Sequence, residues 1–137
     1  MRIYLGGTTD IADTKLMAAD IFFATDDCDD VGASTEDCLM LSGIEVDCCH
    51  NGKNWDCRWK GVEVECGDSI YGEDITKEQI LSIIKDKKMK LRNMSGYLDF
   101  PDGDEVNVKV DYIKIVDATG EVEIPTELLD EEINYIA

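Results

Sequence analysis

The chain has 137 residues, of which 44% are hydrophobic, and its 31 acidic against 13 basic residues give a formal net charge of −18. This length and hydrophobic content suffice for one globular domain over residues 1–137, and they exclude a disordered acidic tail. So much negative charge repels nucleic acid and anionic lipid. We therefore expect no direct nucleic-acid partner, no membrane, and instead a basic protein partner.

The apolar segments and the cysteines bear on the compartment. No apolar run reaches the length of a signal peptide or of a membrane span, which predicts a cytoplasmic protein. Because disulfides are rare in that reducing compartment, the six cysteines are expected to be thiols.

The first third of the chain predicts a strand, a helix and a loop. Arg2 to Leu5 is a short apolar run that ends at two glycines and predicts a strand. Residues 10–24 fit either a helical face or a strand, and we favour the helix. Residues 26–37 have the composition of a loop, and residues 38–41 predict a buried strand.

Residues 44–66 predict a three-stranded antiparallel meander. The pairs Asn51-Gly52 and Lys60-Gly61 are favoured hairpin turns, and they set the register of all three strands. One face then carries cysteines and tryptophans, and the other carries acids. The acidic row predicted by this register is Asp47, Asp56 and Glu65, beside a second row of Glu45, Arg58 and Glu63.

A helix is predicted over residues 77–88. Thr76 is its N-cap, Gln79 completes a capping box, and Ile75 with Ile80 forms a hydrophobic staple.

Two hairpins are predicted after this helix. Residues 96–100 pair with residues 106–116 around a PDGDE turn, with a bulge between Val110 and Ile113 where the alternation slips. Ile113 and Ile115 then pair with Ile124 and Val122, and Pro125-Thr126 starts a last helix over residues 126–136.

These elements predict an α+β fold. It comprises an antiparallel β-meander (about 44–66), a C-terminal β-hairpin pair (about 96–124) and two or three helices (about 10–24, 77–88 and 126–136).

The acidic row suggests a binding surface. Like charges directly opposite on neighbouring strands cost about 0.2–1 kcal/mol per pair, and nothing in the predicted fold requires them. The alternative is a solvated acidic face without a partner. The expected partner-binding residues are Asp47, Asp56, Glu65, Glu45, Glu63, Asp29 and Asp30.

The expected function is that of a non-enzymatic acidic protein that occupies a basic groove of a nucleic-acid-binding protein, as a nucleic-acid mimic would. Small size, acidity and the absence of a catalytic motif are shared with phage and mobile-element inhibitors, including anti-CRISPR proteins. The alternative is a structural or assembly subunit, homo-oligomers included, in which a basic cluster meets acidic neighbours. That cluster comprises Lys85, Lys87, Lys88, Lys90 and Arg92.

Metal and catalytic sites are the remaining alternatives. Cys48, His50 and Cys57 offer zinc ligands, but the predicted register places them on the core face, where cysteine is a small apolar residue. No nucleophile motif, P-loop or dinucleotide fingerprint occurs. We therefore expect no metal, no cofactor and no catalytic residue, with a metal-dependent hydrolase as the enzymatic alternative.

Overall fold

In a computed structural model, antiparallel β-strands make up most of the chain, and the described residues include one α-helix of ten residues. The structure describes residues 1–9, 15–26, 37–51, 54–66, 69–72, 74–99, 106–129 and 133–135. The strands are β1 (Arg2–Thr9), β2 (Lys15–Ala24), β3 (Cys38–Asn51), β4 (Asn54–Cys66), β5 (Ser69–Tyr71), β6 (Lys90–Asp99), β7 (Val106–Asp117), β8 (Gly120–Glu123) and β9 (Ile133–Tyr135). Helix α1 spans Lys77–Asp86, and a 3₁₀ turn spans Thr126–Leu128.

Seven of these strands form a sheet that curves as a half-barrel, in the order β6-β2-β3-β4-β1-β7-β8. The short strand β5 pairs with β4, and β9 pairs with β7. Helix α1 packs against β7 and β8 and places Ile80 and Ile84 in the core. The core side of the sheet is lined by large apolar side chains, among them Trp59, Phe23, Leu5, Leu41 and Ile113.

The predicted α+β class is wrong, because two of the three predicted helices are absent from the described residues. In place of a helix over residues 10–24, residues 15–24 form β2, and residues 10–14 lie outside the described part. Ile21 and Phe23 enter the core cluster, while Phe22 and Ala24 belong to a second apolar cluster. Successive residues thus enter the two clusters in turn, as they do in a strand whose two faces are both apolar.

The predicted last helix over residues 126–136 is also wrong. Pro125 is followed only by the 3₁₀ turn, and β9 pairs with the start of β7. Pairing with an existing strand satisfies the backbone groups of residues 133–135 and outweighs the helical spacing of the apolar residues.

The meander over residues 44–66 is a two-stranded hairpin, because β4 passes through Lys60 and Gly61 without a turn. The sequence predicted a turn at Gly61, and the φ of this residue is 74°. Here the positive φ lies at an irregularity of the ladder, where neither Ile44 nor Gly61 has a register partner in the pair β3–β4. Glycine is favoured in irregular strand positions and in turns for the same reason, because it adopts a positive φ without a steric clash of a Cβ.

The predicted hairpin of residues 96–100 with 106–116 is wrong as well. Strand β6 pairs with β2, and β7 pairs with β1. The bulge predicted in β7 is confirmed, since Gly6 pairs with Tyr112 and Gly7 with Val110, which leaves Asp111 as the extra residue.

Two further local predictions are confirmed. Thr76 and Gln79 form the capping box at the start of α1, with the Thr76 amide donating to the Gln79 side chain at 2.9 Å. In the last hairpin Ile115 pairs with Val122, and the Ile124 amide donates to the Ile113 carbonyl at 2.9 Å.

Candidate protein-interaction surface

The outer face of the sheet, opposite the core, carries most of the charged strand residues whose side chains are described. A kink in the β3–β4 hairpin divides this face. In β4 the buried residues Trp59 and Val62 are three positions apart, so the alternation slips by one residue at Lys60-Gly61. Gly43 lies beside the kink, and any Cβ there would overlap the Trp59 side chain.

On one side of the kink lies a surface that we call the mixed-charge face. Its central strands carry bases, of which Arg2, Arg58 and Lys60 are exposed and Lys114 is half-buried. Acids occupy the two ends of each row of register positions, and the bases lie between them. The two rows, from β3 to β8, are Asp47, Arg58, Tyr4, Lys114, Glu123 and Glu45, Lys60, Arg2, Val116, Glu121.

A tyrosine crosses the mixed-charge face. The Tyr112 hydroxyl donates a hydrogen bond to Asp56, and the Lys114 ammonium lies 5.2 Å from the Tyr112 ring centre. Burial, together with the bond to Asp56, raises the pKa of Tyr112. The ring lies over Gly6, where a Cβ would overlap it, so a glycine in β1 makes room for this contact.

On the other side of the kink lies a group that we call the acidic patch, formed by Asp20, Glu63 and Glu65. Glu63 is exposed, and Asp20 and Glu65 are half-buried. Their register neighbours include Ser42, which lies between Asp20 and Glu63, and Met40 and Ile70, which flank Glu65; none of these is basic. Ile70 is 71% exposed, which makes it the most exposed large apolar side chain of the described residues.

The structure thus separates the residues expected to bind a partner. Glu63 and Glu65 lie in the acidic patch, whereas Asp56 belongs to the mixed-charge face and faces Cys49 and Gly6. The predicted row of Asp47, Asp56 and Glu65 does not exist. Asp56 and Glu65 lie in the same strand, β4, and β3 and β4 pair two residues away from the predicted register, which places Asp47 opposite Arg58.

The other expected positions fall on the mixed-charge face or outside the described residues. In the register, Asp47 pairs with Arg58 and Glu45 pairs with Lys60. Asp29 and Asp30 lie outside the described part of the chain.

A disulfide contradicts the expectation of six thiols. Cys57 is disulfide-bonded and 1% exposed, while Cys38 and Cys66 carry thiols. A sulfur in a disulfide is not the thiolate that zinc requires, so Cys57 is not a zinc ligand in this state. No cluster of three metal-ligating side chains occurs among the described residues.

A partly buried ion pair joins α1 to the β7–β8 turn. The Lys77 side chain is 3% exposed, and its ammonium donates to Asp117 at 2.8 Å and also to Thr119. The bond to Asp117 raises the pKa of Lys77, and the same bond, helped by Thr119, lowers the pKa of Asp117 to about 2. This interaction accounts for the buried lysine as a structural group.

Sequence reasoning found the basic residues at the end of α1 but missed the groove beside this helix. A groove of about 420 Å³ lies between β5 and the helix, although no residue of β5 was predicted to be in a strand. At the end of the helix, Lys85, Lys87, Lys88 and Lys90 are all exposed, and we call them the lysine cluster. The groove is lined by Tyr71, Asp74, Ile75, Gln79, Ser82 and Ile83.

Comparison with known proteins assigns no relative. No family model matches the chain, and neither the curated proteins nor the solved structures contain a significant match. In the described part of the chain, no helix has the length and apolar character needed to cross a membrane.

Proposed function

We propose that the chain is a non-enzymatic binding protein that engages a basic protein surface through the acidic patch. The observation that carries this proposal is the position of Ile70, 71% exposed and directly beside Glu65 in the register. An apolar side chain within an acidic surface supplies contact area, while the acids select a basic partner.

The distribution of charge supports the acidic patch over the mixed-charge face. On the mixed-charge face, bases occupy the register positions beside Asp47 and Glu123, so the local field is small. In the acidic patch, the residues next to Glu63 and Glu65 are polar or apolar, and the net charge of −18 adds to their attraction for cations. Mimicry of nucleic acid is supported by the total charge alone, because the predicted continuous row of acids is absent.

The test is a pull-down from cell lysate with matched charge-reversal variants. We expect E63K/E65K to retain at least tenfold less of the nucleic-acid-binding proteins captured by the original chain. The control E121K/E123K changes the charge equally on the exposed outer side of β8 and should retain capture within about twofold. Capture should fall as salt rises from 0.05 to 0.3 M, because screening shortens the range of the attraction.

Two outcomes contradict the proposal in different ways. Equal loss in both variants would show that net charge, not the acidic patch, retains the partners. Salt-independent capture that survives in E63K/E65K would show that a basic partner is not recognised through these acids at all.

The lysine cluster favours a second function, that of an assembly subunit. Four exposed lysines within six residues are a basic surface on an acidic chain, and the acids of a second copy complement it. Light scattering should then show a mass that rises with protein concentration, and K85E/K88E should abolish the rise. A constant monomer mass over 1–500 μM excludes this function for the isolated chain.

A further inference from the structure

We infer that Cys48 is the disulfide partner of Cys57, so that a cross-strand bridge closes the β3–β4 hairpin. Cys57 is disulfide-bonded, and Cys38 and Cys66 are thiols, which leaves Cys28, Cys48 and Cys49 as partners. The register places Cys48 directly opposite Cys57.

Backbone geometry favours Cys48 over its neighbour. Residues directly opposite in antiparallel strands have Cα atoms about 4.5 or 5.5 Å apart, within the range that a disulfide spans. Cys49 is opposite Asp56, at the next position, and successive residues of a strand alternate between faces. Cys57 belongs to the core face with Trp59, so its partner must be on the same face.

The bridge fixes the register of the hairpin. In the register that the turn residues alone predict, Cys57 is opposite Val46, and no cysteine is directly across the strand. Of these two registers, only the observed one, which also places Arg58 opposite Asp47, pairs two cysteines. A covalent bond at this position therefore excludes the predicted pairing of Asp47 with Asp56.

The oxidation balances with a disulfide oxidant such as glutathione disulfide or a thiol oxidoreductase. Two S–H bonds break and one S–S bond forms between the cysteines, while the oxidant takes up two electrons and two protons and becomes two thiols. Because Cys57 is 1% exposed in the folded chain, this exchange takes place before the hairpin closes on the core. Since disulfides persist mainly in oxidising compartments, the bridge argues against the cytoplasmic location expected from the sequence.

Peptide mapping of the full chain tests the pairing. After alkylation without reduction, trypsin releases residues 54–58, whose only cysteine is Cys57. In the C28A/C49A variant this peptide should remain disulfide-linked, and fragmentation should place the link at Cys48. Alkylated Cys57 in the original chain, or a link to any other cysteine, would overturn the inference.

A second measurement separates a structural bridge from an incidental one. Reduction should lower the melting temperature of the original chain by about 10 °C, because the bridge restricts the unfolded chain. The melting temperature of C48A/C57A should not respond to the reductant. An equal response in both would show that another bridge accounts for the effect, and no response in either would show that the bridge does not stabilise the fold.

Discussion

The mixed-charge face and the acidic patch are built on the same strand, yet they have opposite electrostatic character. Before the kink, β4 presents Asp56, Arg58 and Lys60 to the outer face, and after it β4 presents Glu63 and Glu65. The difference comes from the strands on either side. Before the kink, β1 and β7 add Arg2 and Lys114 and β8 adds acids; after it, β3 and β5 add neutral residues.

The number of acids on a surface therefore does not locate a binding site, because the residues beside those acids also matter. Three acids of the mixed-charge face, Glu45, Asp47 and Glu123, have a base at the paired register position. The acids of the acidic patch have no base at the neighbouring register positions described, and they adjoin the exposed Ile70. A partner surface is therefore expected where acids lie beside an exposed apolar side chain, as Glu65 lies beside Ile70.

The largest expected effect comes from crowding Trp59 beside the kink that separates the two surfaces. In Gly43→Val the new side chain would overlap Trp59, which is 1% exposed and cannot move into solvent without leaving the core. We expect a loss of at least about 3 kcal/mol in the free energy of unfolding, measured by urea denaturation.

Gly72→Val is the matched control for the kink. A Cβ at Gly72 meets no heavy atom within 4 Å, so the change should stay within about 0.5 kcal/mol. Equal stability of the two variants would show that Trp59 does not occupy the space at Gly43.

The second effect concerns the turn between β7 and β8, where Asp117 binds Lys77 of α1. The pKa of Asp117 is lowered to about 2 from about 3.9 in an unfolded chain. Its contribution to stability is therefore complete above about pH 4 and is lost as the pH falls through 2. We expect the melting temperature to fall more steeply between pH 4 and pH 2 in the original chain than in Asp117→Asn.

The control for this acid effect is Glu127→Gln, which removes an exposed acid from the 3₁₀ turn. Its melting temperature should follow the original chain across the same pH range. If Asp117→Asn also follows the original chain, the bond between Lys77 and Asp117 does not stabilise the fold at neutral pH.

The successes of the sequence analysis were local. The capping box of α1 and the β7–β8 hairpin depend on residues within a few positions of one another, and both were predicted. Each is set by short-range hydrogen bonds or by the turn itself, so its signal is present in a short segment. The bulge at Asp111 forms against the distant strand β1, but the slip of alternation that predicted it lies within β7 itself.

The failures arose where the partner strand is distant in the sequence. Nothing in residues 90–99 indicates pairing with β2 in preference to β7, since both strands offer alternating apolar residues. The acidic row failed for two reasons: the predicted turn at Lys60-Gly61 is absent, so Asp56 and Glu65 lie in one strand, and the other turn was assigned one position too early, which shifts every β3–β4 pair by two residues. Asn51 belongs to β3 and pairs with Asn54, so the turn lies one position later than predicted.

The smallest effect is also the most direct comparison of the two surfaces, because it predicts opposite signs. Glu123 is opposite Lys114, so Glu123→Gln should destabilise the chain by about 0.3 kcal/mol. Glu63 lies on the same face as Glu65 and shares a row with Asp20, so Glu63→Gln should stabilise the chain by a similar amount. Both substitutions remove one charge from an exposed strand position and preserve side-chain size.

Urea denaturation in 0.05 M salt should resolve the two signs of the change in stability, and the difference should vanish in 1 M salt because screening then acts within about 3 Å. Equal signs would mean that overall charge governs both sites and that the kink does not separate two electrostatic environments.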